Sequence, residues 1–237
     1  MTKEKLIEVA SFCHDKARLI NQDLYIVRQI LQLAAKYKEE INISPAFYTM
    51  ILDSLERSIV IELAKLFDRD DSSLQVNKVL ETIRDNIDWF PKTRRVETSN
   101  VIESNNGKIE IRSEKIFFDV PLEPEKRLND LIFRKEELSN TIEKLRKLRN
   151  KVYAHNDKRV LLDGQEKWMK ENGFSLDDVE NLLGLAFDIC DFVLVRLTGE
   201  GRHRKAINID DFEKTLKYVQ MGREHWNKEI EKLINKE

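Results

Sequence analysis

The chain has 237 residues, a formal net charge of −2 and a charged fraction of 35%. With this net charge the protein as a whole does not attract nucleic acid, so any such binding must come from a local basic patch. The low numbers of glycine and proline, 7 and 4, favour long helices with solvated outer faces. Cys13 and Cys190 give neither a disulfide framework nor zinc spacing, and we expect two buried thiols in a reducing cytoplasm.

No stretch has both the length and the apolarity of a membrane span. The most apolar run, residues 182–197, is interrupted by Asp188, Asp191 and Arg196, which predicts a buried helix instead. The N-terminus leads into an amphipathic pattern and not into a signal sequence. We therefore expect a cytoplasmic protein without membrane contact.

Helical periodicity dominates the chain. The predicted helices cover, in chain order, about residues 3–40, 44–68, 72–90, 124–155, 175–197 and 210–234. Ser44-Pro45 is a helix start signal, Ser175 with Asp178 resembles a capping box, and Gly199 is a stop signal. A final helix within 208–237 ends the chain.

Residues 92–121 break the helical pattern. Asn106-Gly107 is a strong hairpin turn signal, and the apolar residues on both sides of it are typical of strands. We expect a small β insertion, a surface flap without a part in chemistry. The whole chain, 1–237, is predicted to be one all-α domain, a bundle of long antiparallel helices with this β-hairpin-like insertion.

The segment from Leu148 to Asp157 carries the residues that point to chemistry. At roughly 100° per residue, Arg149 falls inside an apolar helix stripe, where an unpaired arginine costs about 3 kcal/mol or more. Arg149 must therefore pair with an acid or line a cleft, and arginine holds phosphate well. His155, which changes charge near neutral pH, lies roughly 120° around the helix. The two share one substrate only if the helix bends or ends near Tyr153, or if two copies meet at a symmetry axis.

Plain structural roles remain open for these residues. A histidine near a helix C-terminus often caps carbonyls, and an arginine on a helix often forms an ion pair. We hypothesise that Asp188 or Asp191 pairs with Arg149 and fixes its orientation, since neither acid can lie unpaired in a core. The alternative for both acids is a polar seam or a dimer interface.

Two basic clusters are candidates for binding an RNA backbone through its phosphates. One surrounds the histidine and the other precedes the last helix. The candidate residues are Lys147, Lys151, Lys158 and Arg159 in the first cluster and Arg202, Arg204 and Lys205 in the second. The alternative is that both clusters are ordinary solvated surfaces.

No residue pattern predicts a metal ion or a cofactor. Asp68, Asp70 and Asp71 form an acidic helix end without ordered ligand spacing, which favours a turn over a metal site. The other histidines lack partners at metal-ligand spacing, and a glycine-rich phosphate loop is absent from the sequence. We expect no metal and no cofactor; a metal-dependent enzyme using Asp68 and Asp70 is the alternative.

One motif resembles a known superfamily. Arg149-Asn150, four further residues and His155 resemble the R-(N/D/H)-x4-H signature of the HEPN superfamily, compact helical domains that are often ribonucleases. Together with 63–68 at the end of an early helix, residues 148–157 are similar to the AbiU-type abortive-infection branch. The resemblance covers roughly residues 1–200, from which the insertion departs.

The resemblance implies a metal-independent endoribonuclease of a defence or toxin system, whose nucleophile is the RNA's own 2′-hydroxyl. It assigns proton transfer to His155, the scissile phosphate to Arg149 and orientation of the site to Asn150, with Tyr153 and Asp157 as supporting residues. It further implies a homodimer whose two motifs face one cleft. RNA is then the substrate, and an antitoxin protein is a possible partner. The alternative is a catalytically inactive helical module that binds RNA or protein.

Overall fold

The computed structural model describes residues 1–68, 74–103, 109–121, 123–150, 174–204 and 211–234. Its helices are α1 (Lys3–Leu33), α2 (Lys38–Ile41), α3 (Pro45–Leu66), α4 (Val76–Asp85), α5 (Pro124–Glu137), α6 (Ser139–Leu148), α7 (Leu176–Thr198) and α8 (Asp211–Ile234). A 3₁₀ turn, Ile87–Trp89, follows α4, and the strands β1 (Thr93–Glu103) and β2 (Ile109–Pro121) precede α5. The described part of the chain is mostly helical, as predicted.

Helix α1 is the centre of the bundle because it packs along both α3 and α7. Arg28, near the end of α1, donates to Asp177 at the beginning of α7 at 2.8 Å. His14, earlier in α1, lies 3.4 Å from Asp191, further along α7. Helices α1 and α7 therefore run antiparallel.

Helix α3 is also antiparallel to α1. Lys16 lies 3.3 Å from Glu62, and Ser58 donates to Asp23 at 3.0 Å, so the later residue of α1 meets the earlier residue of α3. The buried stripe of α1 consists of Leu6, Val9, Ala10, Cys13, His14, Ala17, Ile20, Leu24, Val27 and Ile30. Each large apolar side chain buried there contributes about 1.5–3 kcal/mol.

Several local signals in the sequence are confirmed. Helix α3 begins at Pro45, as its fixed φ favours. Ser175 Oγ accepts a hydrogen bond from the backbone N–H of Asp178 at 3.2 Å, and the Asp178 carboxylate accepts one from the Ser175 N–H at 2.8 Å. Gly199 follows α7 with φ 83°, a left-handed conformation that glycine adopts without strain. The two cysteines are buried free thiols, as expected.

Two predicted helices are divided in the structure. The first ends at Leu33 instead of about residue 40, because Tyr37 is buried and its hydroxyl donates to Glu213 of α8 at 3.2 Å. The fourth is broken at Leu138, which separates α5 from α6. This break lets α5 pack against α7 while α6 packs against α3, so tertiary contacts override the continuous periodicity.

The strands β1 and β2 pair in an antiparallel two-stranded sheet. Thr93 lies opposite Pro121, and Glu103 lies opposite Ile109. The turn signal Asn106-Gly107 lies outside the described residues. Among the helices that the structure describes, none combines the length and apolarity needed to cross a bilayer.

Candidate functional site

Side chains from two other helices hold the C-terminal end of α3. Phe67 is fully buried, and its backbone carbonyl accepts a hydrogen bond from Arg146 Nη2 of α6 at 2.6 Å. Asn77 Nδ2 of α4 donates to the carbonyl of Asp68 at 2.9 Å. These bonds satisfy carbonyls that a helix end leaves unpaired, and they fix the backbone of Asp68.

Arg149 follows the last residue of α6, and its guanidinium is held on two sides. Nη1 donates to Asp68 Oδ2 at 2.8 Å, and Nε donates to Asn150 Oδ1 at 2.9 Å. The side chains of Arg149 and Asp68 are 24% and 28% exposed, so the pair lies at the edge of the core. Arginine has five N–H donors, and residues in the described part of the chain use two of them here. Within the described residues, the other N–H donors of the guanidinium stay available to an anion.

The helix changes form where the motif begins. Regular α-helix ends at Leu148, and residues 149 and 150 continue in a wider π-helical turn. Such turns occur frequently at functional sites. The change comes before Tyr153, near which the sequence analysis required a bend or an end, while Tyr153 and His155 lie outside the described residues.

The prediction that Asp188 or Asp191 pairs with Arg149 is wrong. Asp188 accepts hydrogen bonds from Arg134 of α5 and from Arg204 Nη2, the latter at 2.7 Å. Asp191 accepts from Arg204 Nε at 2.8 Å. Because α6 packs against α3, Arg149 meets the acid at the end of α3 and not the acids of α7.

The α7 acids belong to an ion-pair cluster with Arg204, which we call the α7 cluster: Asp188, Asp191, Arg204, Arg134 and His14. Burial raises the pKa of both carboxyl groups, but their arginine partners and, for Asp191, His14 lower it further, so both pKa values lie below the ordinary value. The Arg204 guanidinium also lies 5.4 Å from the centre of the Phe187 ring. This cluster joins α1, α5, α7 and the segment after α7.

The residues predicted to contact RNA fall into three groups: some form ion pairs, one is exposed, and the others lie outside the described residues. Arg202 lies 3.4 Å from Asp15, and Arg204 is held by two acids. Because those acids neutralise Arg204, we leave it out of the RNA-binding surface. Lys147 is exposed on α6, two residues before Arg149. The predicted site residues Lys151, Tyr153, His155, Asp157, Lys158, Arg159 and Lys205 lie outside the described residues.

Comparison with known protein families gave a match. A family model, HEPN_AbiU2, matches residues 3–216, which include α1 to α7 and the beginning of α8. The chain belongs to the AbiU2 family. This family is an abortive-infection branch of the HEPN superfamily. Neither the curated proteins nor the solved structures gave a match.

In this AbiU2 protein, sequence reasoning missed three residues that shape the site. Asp68 was assigned to a helix end or turn, although it ends the 63–68 element that carries part of the family resemblance. Asn77 and Arg146 were not assigned at all, since polar residues on helix faces carry no signal of which backbone carbonyl they bind. Both act on Phe67 or Asp68 and so support the acid that holds Arg149.

Of the three acids after α3, Asp68, Asp70 and Asp71, only the first lies in the described residues. Asp68 binds Arg149, while Asp70 and Asp71 lie outside the described residues. Within the described ranges, no group of three or more His, Cys, Asp or Glu side chains is arranged to hold a metal ion. Any cation at Asp68 would compete with the guanidinium for the same carboxylate.

A cleft of about 390 Å³ opens beside the site of this AbiU2 chain. It lies between α4 and the junction of α5 and α6. Its lining consists of Gln75, Asn77, Lys78, Glu81, Lys135, Ser139, Ile142, Glu143 and Arg146. Asn77 and Arg146 therefore line the cleft and also hold the end of α3.

Proposed function

We propose that the protein is a metal-independent endoribonuclease of an abortive-infection or toxin-like defence system. Family membership supports this class of function. The observation that carries the proposal is the Arg149 guanidinium, which Asp68 and Asn150 orient while the described residues leave its other N–H donors for a phosphate. Arg149 lies six positions before His155, so the motif joins a phosphate ligand to a proton-transfer group.

In the proposed reaction, the 2′-oxygen of RNA attacks the adjacent phosphorus as its proton leaves, and the bond to the 5′-oxygen breaks as that oxygen gains a proton. The products are a 2′,3′-cyclic phosphate end and a 5′-hydroxyl end. His155 transfers a proton in this reaction, either from the 2′-hydroxyl or to the 5′-oxygen. Arg149 binds a non-bridging oxygen whose negative charge grows in the transition state, and Asn150 keeps the guanidinium in place.

We extend the proposal to a homodimer in which two copies of the motif face one cleft. Tyr153 and Asp157 are proposed as supporting residues. The proposed phosphate contacts are Lys147, Lys151, Lys158, Arg159, Arg202 and Lys205. No metal or cofactor has a part in this reaction.

A second candidate function is a catalytically inactive module that binds RNA or another protein. The outer part of α8 favours a protein partner, because Trp226, Ile230 and Leu233 share one face of the helix and are 67%, 39% and 67% exposed. Large apolar side chains exposed together are typical of protein interfaces. An antitoxin is one such partner.

RNA cleavage in the presence of a chelator tests the proposed function. The wild-type protein, His155→Ala and His225→Ala are incubated with total RNA, and the new ends are analysed chemically. His225, exposed on α8, provides the matched histidine control. We expect cyclic phosphate ends from the wild type and from His225→Ala, and none from His155→Ala. Cleavage that stops in chelator, or that His155→Ala retains, contradicts the proposal.

A further inference from the structure

The cleft beside Arg149 has the size of a site for one small polar molecule. Its volume of about 390 Å³ lies in the lower part of the range of roughly 300–1,000 Å³ that ligand pockets occupy. Such a volume holds a single nucleotide but not a longer oligonucleotide. The cleft is open to solvent at Ser139, the exposed first residue of α6.

The walls of the cleft suit a nucleotide. The lining carries three positive charges, on Lys78, Lys135 and Arg146, against the two acids Glu81 and Glu143, and the buried side chain of Ile142 supplies an apolar surface for a base. Gln75 and Asn77 add amide groups, the kind that pairs with base edges, although Asn77 Nδ2 is bound to the carbonyls of Phe67 and Asp68. Charge, an apolar surface and amide groups therefore lie together in one cleft.

Two lining residues carry polar atoms without a partner. Within the described part of the chain, Asn77 Oδ1 and Arg146 Nε are buried and have no hydrogen-bond partner. One is an acceptor and the other is a donor, and an unsatisfied buried group of either kind destabilises the folded protein. A base edge that presents a donor and an acceptor would satisfy both after small side-chain movements.

The cleft is also connected directly to the proposed catalytic arginine. Asn77 Nδ2 binds the carbonyl of Asp68, whose carboxylate binds Arg149. Arg146 precedes Arg149 by three residues on the same helix, about 4.5 Å along the axis. From this link and this short spacing we expect a nucleotide whose base lies in the cleft to bring a phosphate to Arg149.

We infer that this cleft binds the base of the nucleotide next to the scissile phosphate and so gives RNA cleavage a sequence preference at that position. The role in cleavage rests on the proposed ribonuclease function. Binding of a mononucleotide to the cleft does not, because it depends only on the residues that line it.

Titration with the four ribonucleoside monophosphates tests the inference. Calorimetry compares the wild type with Ser139→Trp, which fills the mouth of the cleft, and with Asn140→Trp, a control at the next, exposed residue outside the lining. We expect a dissociation constant of about 1 mM or tighter for at least one nucleotide. Ser139→Trp should weaken it at least about tenfold, and Asn140→Trp should leave it unchanged.

Absence of binding to the wild type, or equal affinities for the wild type and Ser139→Trp, overturns the inference. Melting temperatures of both variants check that they fold. If Ser139→Trp melts earlier than Asn140→Trp, Ser139→Leu replaces it, with Asn140→Leu as its control.

Sequencing of the cleaved RNA ends separates the inference from the proposed function. A base preference beside the cut that Ser139→Trp loses supports both. Cleavage by the wild type without any base preference overturns the inference and leaves the ribonuclease function standing. Mononucleotide binding that Ser139→Trp abolishes, together with no RNA cleavage under any condition, supports the nucleotide site and overturns the ribonuclease function.

Discussion

Among the arginines that contact aspartates in the described residues, Arg149 and Arg204 differ in how far acids offset their charge. Arg149 meets one carboxylate, Asp68, and one amide at the edge of the core. Arg204 meets both Asp188 and Asp191, in the cluster that also includes Arg134 and His14. The first arrangement leaves donors for an anion, whereas in the second two acids share the arginine's charge.

This difference indicates that an arginine–aspartate pair has a structural role at Arg204 and a functional role at Arg149. Arg204 ties the segment after α7 back to α7, and Asn21 of α1 binds its backbone carbonyl at 2.9 Å. Arg149 joins the ends of α3 and α6 through an ion pair that is partly exposed. We therefore expect changes at Arg204 to lower stability and changes at Arg149 to lower activity.

Arg149→Lys should have the largest effect. Lysine retains the positive charge but cannot bind an acid, an amide and a phosphate in one plane, so we expect RNA cleavage to fall at least about 100-fold. The free energy of unfolding should fall by less than about 1 kcal/mol, because the ion pair is partly exposed. Rates of cleavage and urea unfolding measure the two effects, and Arg84→Lys, on an exposed arginine paired with Asp85, is the control. Equal losses of rate in both variants would contradict the assignment.

Arg204→Ala should have the reverse effect. Without the guanidinium, Asp188 and Asp191 lose their shared partner, and we expect the free energy of unfolding to fall by about 2 kcal/mol. The cleavage rate of the folded protein should stay unchanged. Arg202→Ala, which removes a single contact to an exposed acid, is the control and should cost less than about 0.5 kcal/mol. A loss of activity without a loss of stability would reverse our interpretation of this cluster.

Asp68→Asn tests the support of Arg149. Asparagine keeps an oxygen that accepts from the guanidinium but removes the negative charge, so we expect cleavage to fall about tenfold in kcat with little change in melting temperature. Asp85→Asn on the exposed end of α4 is the matched control. A change in melting temperature with an unchanged kcat would limit Asp68 to a structural role.

Acid should weaken the α7 cluster. The pKa values of Asp188 and Asp191 are lowered in the folded protein, so the unfolded chain binds more protons as the pH falls. Their contribution to stability is complete above the ordinary value of about 3.9 and is lost as the pH falls through their lower folded values. Urea unfolding between about pH 3 and 5 should show a steeper loss of stability for the wild type than for Arg204→Ala. Parallel curves would contradict this linkage.

Local features of this fold could be predicted from the sequence because they depend on neighbours along the chain. The capping box at Ser175, the stop at Gly199 and the start at Pro45 each involve a few consecutive residues. The motif that joins Arg149 and Asn150 to His155 could likewise be recognised in the sequence. It indicated the family that the comparison then confirmed. Periodicity also gave the helical class correctly, but it missed the break at Leu138.

The partners of the arginines could not be predicted in this way. Arg149 and Asp68 are 81 residues apart, and the sequence offers several other acids that could equally pair with Arg149. The choice follows from the packing of α6 against α3, which in turn depends on the break at Leu138. By itself, the sequence determined the helical class, several helix starts and stops and the family motif, because short-range backbone and side-chain preferences decide these. Only the tertiary structure decided which acid holds Arg149 and where a cleft opens beside it, because both depend on how separate helices pack.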